Sequence, residues 1–242
     1  MKRKEIKLKL EGVKAEVLYH LYEGFEANTL LVSFGEKRRV LSTWDGYREV
    51  SFVANTYQPP VLSEITMLNY NEFQEKFPTS LKIPRSDLTF LSTGANMENV
   101  ALCEKSYKEL TVSCLATGGV GNALRMGVDG ADWMEWDGEY IHLPGTINII
   151  LLTNAPLSGG AMARAIIAAT EAKTAALQDM DARSSLSPQN QATGTGTDNI
   201  IIVSGKRPGK TILCTGGHTK IGELIGVSTK IAVAEAIKKQ EG

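Results

Sequence analysis

The chain is poor in the residues that build zinc sites or disulfide frameworks. It has three cysteines in 242 residues, and Cys103, Cys114 and Cys214 form no Cys-x-x-Cys pair. The three histidines are also well separated in the sequence. Such spacing argues against a zinc site and against a disulfide framework. We therefore predict buried, reduced thiols in a cytoplasmic protein, with no metal site and no resident cofactor.

The chain also has no excess of either charge and no long apolar run. Its 26 basic and 27 acidic residues give a formal net charge of −1 without a basic block, so we expect no nucleic-acid partner. The first twelve residues, MKRKEIKLKLEG, lead into alternation and not into the apolar core of a secretion signal. Because no run is long enough to span a bilayer, we expect no membrane partner.

Two familiar catalytic motifs are missing as well. The Gly-x-Ser-x-Gly turn of serine hydrolases is absent. Residues 205–211, GKRPGKT, resemble a phosphate-binding loop, but that motif requires glycine at position 204, which is Ser204. Thr211 also begins an apolar segment where the motif requires a helix. We therefore interpret Gly205–Gly209 as a turn between two strands, the second of them Thr211–Cys214.

The first third of the chain is rich in strand patterns. Alternating apolar residues predict a hairpin over residues 5–18, two short strands over 29–34 and 39–42, and another strand over 48–54. Residues 62–77 predict a helix that ends at Pro78. A hydrophobic content of 43% is enough for one sizeable core. We therefore predict a single domain over residues 1–242, with a β-rich part over 1–84.

The remainder combines buried strands with two long helices. Further strands are predicted over 88–92, 110–116, 147–152 and 200–203, and the helices over 161–177 and 221–239. These elements predict an α+β fold, with mixed, largely antiparallel sheets and helices packed on one side. An α/β fold is the alternative, which the missing β-α-β alternation in the first half disfavours.

The most informative stretch is Gly145–Leu177. Ile147–Leu152 predicts a strand that is buried on both faces, and Ser158 is placed to cap the following helix. That helix is dense in Ala, Ile and Leu but contains Glu171 and Lys173. A charge in such a helix must be paired, reach solvent or face a site.

Polar, glycine-rich turns follow several strands, and the side chains capable of chemistry lie in them. The turns contain Asn122, Asn154 and His218, and a fourth polar loop runs from Ser184 to Asp198. Backbone N–H groups in such turns can point towards a ligand, and loops at strand ends are common places for sites. This pattern predicts a functional site built from these loops.

Five collinear segments resemble the adenosylcobinamide amidohydrolase (CbiZ) family. They are TGGVGNALRMG (117–127), GTINIILLTNAPLS (145–158), AMARAIIAATEAKTAAL (161–177), ATGTGTDNIIIV (192–203) and TGGHTKIGELIG (215–226). The resemblance covers roughly residues 85–238. It implies hydrolysis of the amide between the corrin propionyl side chain and aminopropanol, which gives adenosylcobyric acid and 1-aminopropan-2-ol. This reaction belongs to corrinoid salvage for cobalamin biosynthesis in archaea and some bacteria.

For amide hydrolysis, the residues in these segments suggest specific catalytic and binding roles. We expect His218 or Glu171 as general base, Asp198 as a residue that orients or shares protons, and Lys173 or Lys220 to stabilise negative charge. Substrate-binding groups are expected among Gly118, Gly119, Asn122, Asn154, Thr195, Thr197, Thr219 and Lys220. The three threonines among them are also candidate nucleophiles if a base lies near.

The implied partner is a corrinoid small molecule, for which the candidate walls are Trp133, Trp136, Tyr140 and the polar loop over residues 187–199. Metal dependence and a homo-oligomeric state stay open. Two other function classes also stay open: a corrinoid-binding module without hydrolysis, and a nucleotide-binding protein that uses the glycine loops. The failed phosphate-loop spacing counts against the second.

Overall fold

The computed structural model describes residues 2–131 and 145–242. The strands within these ranges are β1 Lys2–Ile6, β2 Val13–Tyr22, β3 Phe25–Ser42, β4 Gly46–Tyr57, β5 Leu88–Thr93, β6 Ala101–Tyr107, β7 Leu110–Gly118, β8 Ile147–Thr153 and β9 Asn199–Val203. The α-helices are α1 Pro60–Leu68, α2 Tyr70–Ser80, α3 Gly159–Asp179 and α4 Lys220–Glu241. Trp133, Trp136 and Tyr140 lie outside the described residues.

The described strands form one mixed sheet. Its order is β1-β2-β3-β9-β8-β7-β6, and β4 pairs with both β3 and β5. Only β4–β5 and β8–β9 are parallel pairs, and the other pairs are antiparallel. The predicted α+β class with a mixed, largely antiparallel sheet is confirmed.

The sheet curls because the two ends of strand β3 pair with different strands. Its first half pairs with β2, and Val40–Ser42 near its end pair with β9. The pairing with β4 shifts register between Ser33 and Arg38, and such irregularities bend strands. The curl encloses an apolar core that includes Val32 and Val53 from one half of the sheet and Leu115, Ile150 and Ile201 from the other half.

All four α-helices cover the opposite, convex face of this sheet. Val40 and its partner Val203 belong to the enclosed core, whereas the next pair, Leu41 and Ile202, packs with α3 and α4. On the other half of the sheet, Leu31 packs with the cluster that contains α1 and α2. Side chains alternate between faces along a strand, so both helix pairs lie on one face, as predicted.

Three local predictions differ from the structure. The two strands expected over residues 29–34 and 39–42 are parts of the single strand β3, which bends and does not end. The helix expected over residues 62–77 is two helices, α1 and α2, separated at Asn69. Pro78 lies inside α2 and does not end it.

The predicted strand Thr211–Cys214 is wrong. The backbone of Ile212 bonds to Pro156 and Ser158 on the connection between β8 and α3, so the segment does not join the sheet.

Cys214 is exposed, which corrects the expectation of a buried thiol, whereas Cys103 and Cys114 are buried as predicted. Burial raises the pKa of the Cys114 thiol to about 12. No described helix is both long and apolar enough to span a bilayer.

Candidate functional site

A cavity of about 530 Å³ lies where several strand ends meet. The amino-terminal ends of β8 and β9 form one side, and the carboxyl-terminal end of β5 and the β3–β4 turn form the other. Residues of α1 and α2 close it from the convex face. The volume lies in the range of small-molecule sites, so this cavity is the candidate site.

Asp198 organises the polar side of the cavity. Its Oδ1 accepts hydrogen bonds from the backbone N–H of Ile147 at 3.0 Å and from Thr195 Oγ1 at 2.5 Å. Its Oδ2 accepts from the backbone N–H of Thr195 at 3.2 Å and from the ammonium of Lys173. Two carboxylate oxygens offer about four lone-pair sites, so these donors leave Asp198 little capacity to act as a base.

Lys173 is the buried partner of Asp198. Its side chain is 8% exposed and that of Asp198 is 14% exposed. The carboxylate of Asp198 therefore compensates the buried charge of Lys173 in the apolar helix α3. The chain approaches this pair closely at Gly194. A Cβ atom there would lie 2.5 Å from Asp198 Oδ2 and 2.6 Å from Lys173 Nζ. Only glycine fits this position of the Thr-Gly-Thr-Gly run.

Thr197 bonds to both sides of the Gly145–Thr146 peptide. Thr197 Oγ1 donates to the Gly145 carbonyl oxygen at 2.9 Å, and Thr146 Oγ1 donates to the Thr197 carbonyl oxygen at 2.8 Å. Gly145 has a φ of +134°, and a Cβ there would lie 2.2 Å from Asn122 Oδ1. The peptide is thus held in a fixed, glycine-dependent conformation at the cavity wall.

The opposite wall of the cavity is largely apolar. The rings of Trp44 and Tyr70 meet nearly edge-on, with centroids 5.0 Å apart, and Met67 and Leu91 extend this surface. Burial raises the pKa of the Tyr70 hydroxyl well above its usual range, so Tyr70 stays protonated. This wall suits a broad, mostly apolar ligand with polar edges.

A buried amide network joins the two halves of the sheet beside the cavity. Asn148 Nδ2 donates to Asn55 Oδ1 at 2.8 Å and to the carbonyl oxygen of Ser92 at 2.9 Å. Asn55 Nδ2 donates to Thr117 Oγ1 at 2.9 Å. Because Ser92 lines the cavity, this network fixes the distance between its two sides.

The structure brings several of the predicted residues to this end of the sheet. Thr197 and Asp198 line the cavity, and Thr195 and Lys173 bond to Asp198 behind it. Asn122 contacts Gly145 at the same edge. The backbone N–H of Gly119 donates to the Thr146 carbonyl oxygen at 3.1 Å, whereas Gly118 lies against Ile237.

Other predicted residues lie at the opposite end of the sheet. Asn154 follows the far end of β8, where its side chain bonds to the backbone of Glu109 and Thr111. Roughly 26 Å of strand separates it from Thr146. These bonds join β8 to β7 at that end of the sheet.

The turn that contains His218 lies at that far end too. Thr215, at its start, bonds to the Ala161 carbonyl in the first turn of α3, about 18 Å of helix before Lys173. His218 is exposed, and Thr219 caps α4 by accepting from the Gly222 N–H at 3.1 Å. Lys220 pairs with Glu223. The structure therefore does not bring His218, Thr219 or Lys220 to the cavity.

Glu171 is also separated from the polar side of the cavity. It is exposed on α3, whereas Lys173 on the same helix is buried. Residues two apart on a helix face different directions.

Within the described part of the chain, no three His, Cys, Asp or Glu side chains form a group that could hold a metal ion.

Several residues at the cavity are not among the individual residues that the sequence predicts. Thr146 and Asn199 line it, together with Thr43, whose hydroxyl donates to Asn199 Oδ1 at 2.9 Å. A usable signal was the Gly145-Thr146 pair directly before the most apolar strand. The glycine turn that follows β8 points instead to the opposite end of that strand.

Comparison with known proteins gives three results. The uncharacterized protein MJ1613 of Methanocaldococcus jannaschii is 43% identical over 227 residues, which cover 89% of this chain and 88% of that protein. The crystal structure of the PH0078 protein from Pyrococcus horikoshii OT3 aligns with a TM-score of 0.48 at 13% identity, over 96% of this chain and 84% of that one. An L-aminopeptidase D-Ala-esterase/amidase from Ochrobactrum anthropi aligns with a TM-score of 0.46 at 11% identity, over 94% and 84%.

The two structural likenesses are too distant to say anything about the chemistry of the cavity. The model described as CbiZ, adenosylcobinamide amidohydrolase, matches residues 14–242, nearly the whole chain. This chain therefore belongs to the CbiZ family.

Proposed function

We propose that the protein hydrolyses the amide that joins the corrin propionyl side chain to aminopropanol in adenosylcobinamide. The products are adenosylcobyric acid and 1-aminopropan-2-ol, and the reaction serves corrinoid salvage for cobalamin biosynthesis. The observation that carries the proposal is the family match over residues 14–242, which includes every segment that lines the cavity.

The shape of the cavity supports this reaction. At about 530 Å³ it suits the aminopropanol arm with its amide, while the macrocycle rests at the mouth against Trp44 and Tyr70. The amide then lies beside Thr146 and Thr197 on the polar side. Binding a large ligand outside and its reacting arm inside excludes water from the amide and orients it.

The polar side offers donors for the carbonyl oxygen of the substrate amide. The Asn199 side chain has two N–H donors, and one of them binds the Thr197 carbonyl oxygen at 3.0 Å. The second can donate to the substrate oxygen as negative charge develops on it. One such donor typically changes the rate by about 10²–10³.

The proposal is tested by incubating the purified protein with adenosylcobinamide, with and without a chelator, and separating the corrinoids by chromatography. We expect conversion to adenosylcobyric acid, and the chelator arm decides whether a metal assists. Tight binding of adenosylcobinamide without conversion would instead identify a corrinoid-binding module.

A further inference from the structure

The described lining of the cavity includes the hydroxyl of Thr146, and no described titratable side chain there is placed to take its proton. Among the described residues that line it, Asp198 and Tyr70 carry titratable groups. The oxygens of Asp198 already accept from Ile147, Thr195 and Lys173, and Tyr70 stays protonated because its pKa is raised. A threonine hydroxyl needs an adjacent base, and the amine of an amino-terminal threonine can serve as that base.

Three hydrogen bonds hold the groups on both sides of the Gly145–Thr146 peptide bond. Its carbonyl oxygen accepts the Thr197 hydroxyl at 2.9 Å, which is the donor needed where negative charge develops. The Thr146 hydroxyl is anchored on the Thr197 carbonyl at 2.8 Å. On the carboxyl side, Asp198 holds the N–H of Ile147 at 3.0 Å. These bonds fix the carbonyl, the hydroxyl and the following residue together.

We propose that the chain cleaves its own peptide bond between Gly145 and Thr146, and that Thr146, as a new amino-terminal residue, is the nucleophile of the amide hydrolysis. The first part, self-cleavage, is argued from the hydrogen bonds around the Gly145–Thr146 peptide bond. The second part rests on the proposed function.

The cleavage balances with water as its only co-reactant. The Thr146 hydroxyl oxygen bonds to the Gly145 carbonyl carbon, the C–N bond breaks, and the hydroxyl proton passes to the leaving nitrogen. Water then hydrolyses the ester, which restores the hydroxyl and leaves a carboxylate on Gly145. The acid proton released from Gly145 protonates the new α-amino group of Thr146.

The fold holds both fragments together after cleavage. Strand β8 begins directly after Thr146 and is paired with β7 on one side and with β9 on the other. The residues of β8 are buried throughout. The new amino terminus therefore stays at the cavity wall, where the neutral α-amine can take the proton of its own hydroxyl during attack on the substrate amide.

The test is mass spectrometry of the purified full chain under denaturing conditions. We expect two fragments, residues 1–145 and 146–242, with Thr146 as the first residue of the second. The chain contains two further Gly–Thr bonds, 194–195 and 196–197, which serve as internal controls and should stay intact. An intact chain after prolonged incubation at neutral pH would overturn the proposal.

Variants separate the cleavage from the hydrolysis. Thr146→Ala should leave the chain intact and abolish turnover, whereas Thr146→Ser should restore both. Thr174→Val is the matched control, because Thr174 on α3 donates to the Thr193 carbonyl at 3.0 Å and anchors the loop that contains Thr197. The Thr174→Val chain should cleave normally. Cleavage of Thr146→Ala at position 145 would overturn the first part.

The outcomes for the two parts are distinguishable. An intact wild-type chain that hydrolyses adenosylcobinamide would overturn self-cleavage and leave the proposed function standing. A cleaved chain without hydrolysis would overturn the second part. If the α-amine is the base, kcat/KM should rise with pH and level off above its pKa of about 8. A profile that is flat down to pH about 5 would contradict this role.

Discussion

The ammonium of Lys173 contacts Oδ2 of Asp198 and ties helix α3 to the turn that precedes strand β9. Both side chains are largely buried, and Asp198 also holds the N–H of Ile147 at the start of β8. One ion pair thus fixes the two strand ends that form the polar side of the cavity.

Removing the carboxylate should be more harmful than removing the ammonium. Asp198→Ala leaves a buried, unpaired Lys173 and should lower the free energy of unfolding by about 3–5 kcal/mol. Lys173→Met leaves a carboxylate that still accepts from Ile147 and Thr195, so its cost should be smaller. Denaturant unfolding measures both.

The double variant Lys173→Met/Asp198→Ala is the control for this pair. Since it removes both charges, its loss of stability should be smaller than the sum of the two single substitutions at these positions. Strictly additive losses would show that the two side chains do not interact in solution.

Gly145 should not tolerate a side chain. Its φ of +134° and the 2.2 Å approach to Asn122 Oδ1 predict that Gly145→Ala costs about 1–3 kcal/mol and displaces the Thr146 peptide. Gly94→Ala is the matched control at the same cavity, because a Cβ there has no neighbour within 4 Å. Equal stability and turnover for the two variants would argue against a constrained peptide at Gly145.

The aromatic wall should contribute to binding of the corrinoid. Trp44 is 52% exposed and contacts Tyr70 at the cavity, so a bound macrocycle can cover it. Trp44→Ala should raise the Kd for adenosylcobinamide about 3- to 10-fold, measured by titration. Tyr107→Ala, an exposed aromatic residue that contacts Lys220 at the far end of the sheet, should leave the Kd unchanged. An unchanged Kd for Trp44→Ala would remove this wall from the binding site.

His218 provides a test between the sequence and the structure. The sequence favours it as a general base, but it is exposed in the turn before α4, at the far end from Asp198. We therefore expect His218→Ala to keep kcat/KM within about twofold of the wild type. A fall in kcat/KM of about 10²-fold or more, the size expected for a general base, would show that the catalytic centre lies at that turn.

Local signals in the sequence predicted most of the elements. The apolar run over 147–152 is strand β8, and Ser158 caps α3 by accepting from the Ala161 N–H at 3.1 Å. These features depend on residues near each other in the chain. The curl of β3 depends instead on its pairing with β9, more than 150 residues away, which periodicity does not encode.

The site was harder to predict than the fold for a topological reason. A glycine turn after a strand marks the end of that strand but not the end of the sheet at which it lies. Strands β7 and β8 are antiparallel, so the turn with Asn122 and the turn with Asn154 lie at opposite ends. Thr195, Thr197 and Asp198 lie in a loop that precedes a strand, and that strand, β9, begins at the cavity.

The most direct test of the account is to quantify both products of adenosylcobinamide hydrolysis with the wild type and Thr146→Ala. We predict equal amounts of adenosylcobyric acid and 1-aminopropan-2-ol from the wild type and neither product from the variant. Binding of adenosylcobinamide by the wild type without release of aminopropanol would contradict the assignment of this chain as an amide hydrolase.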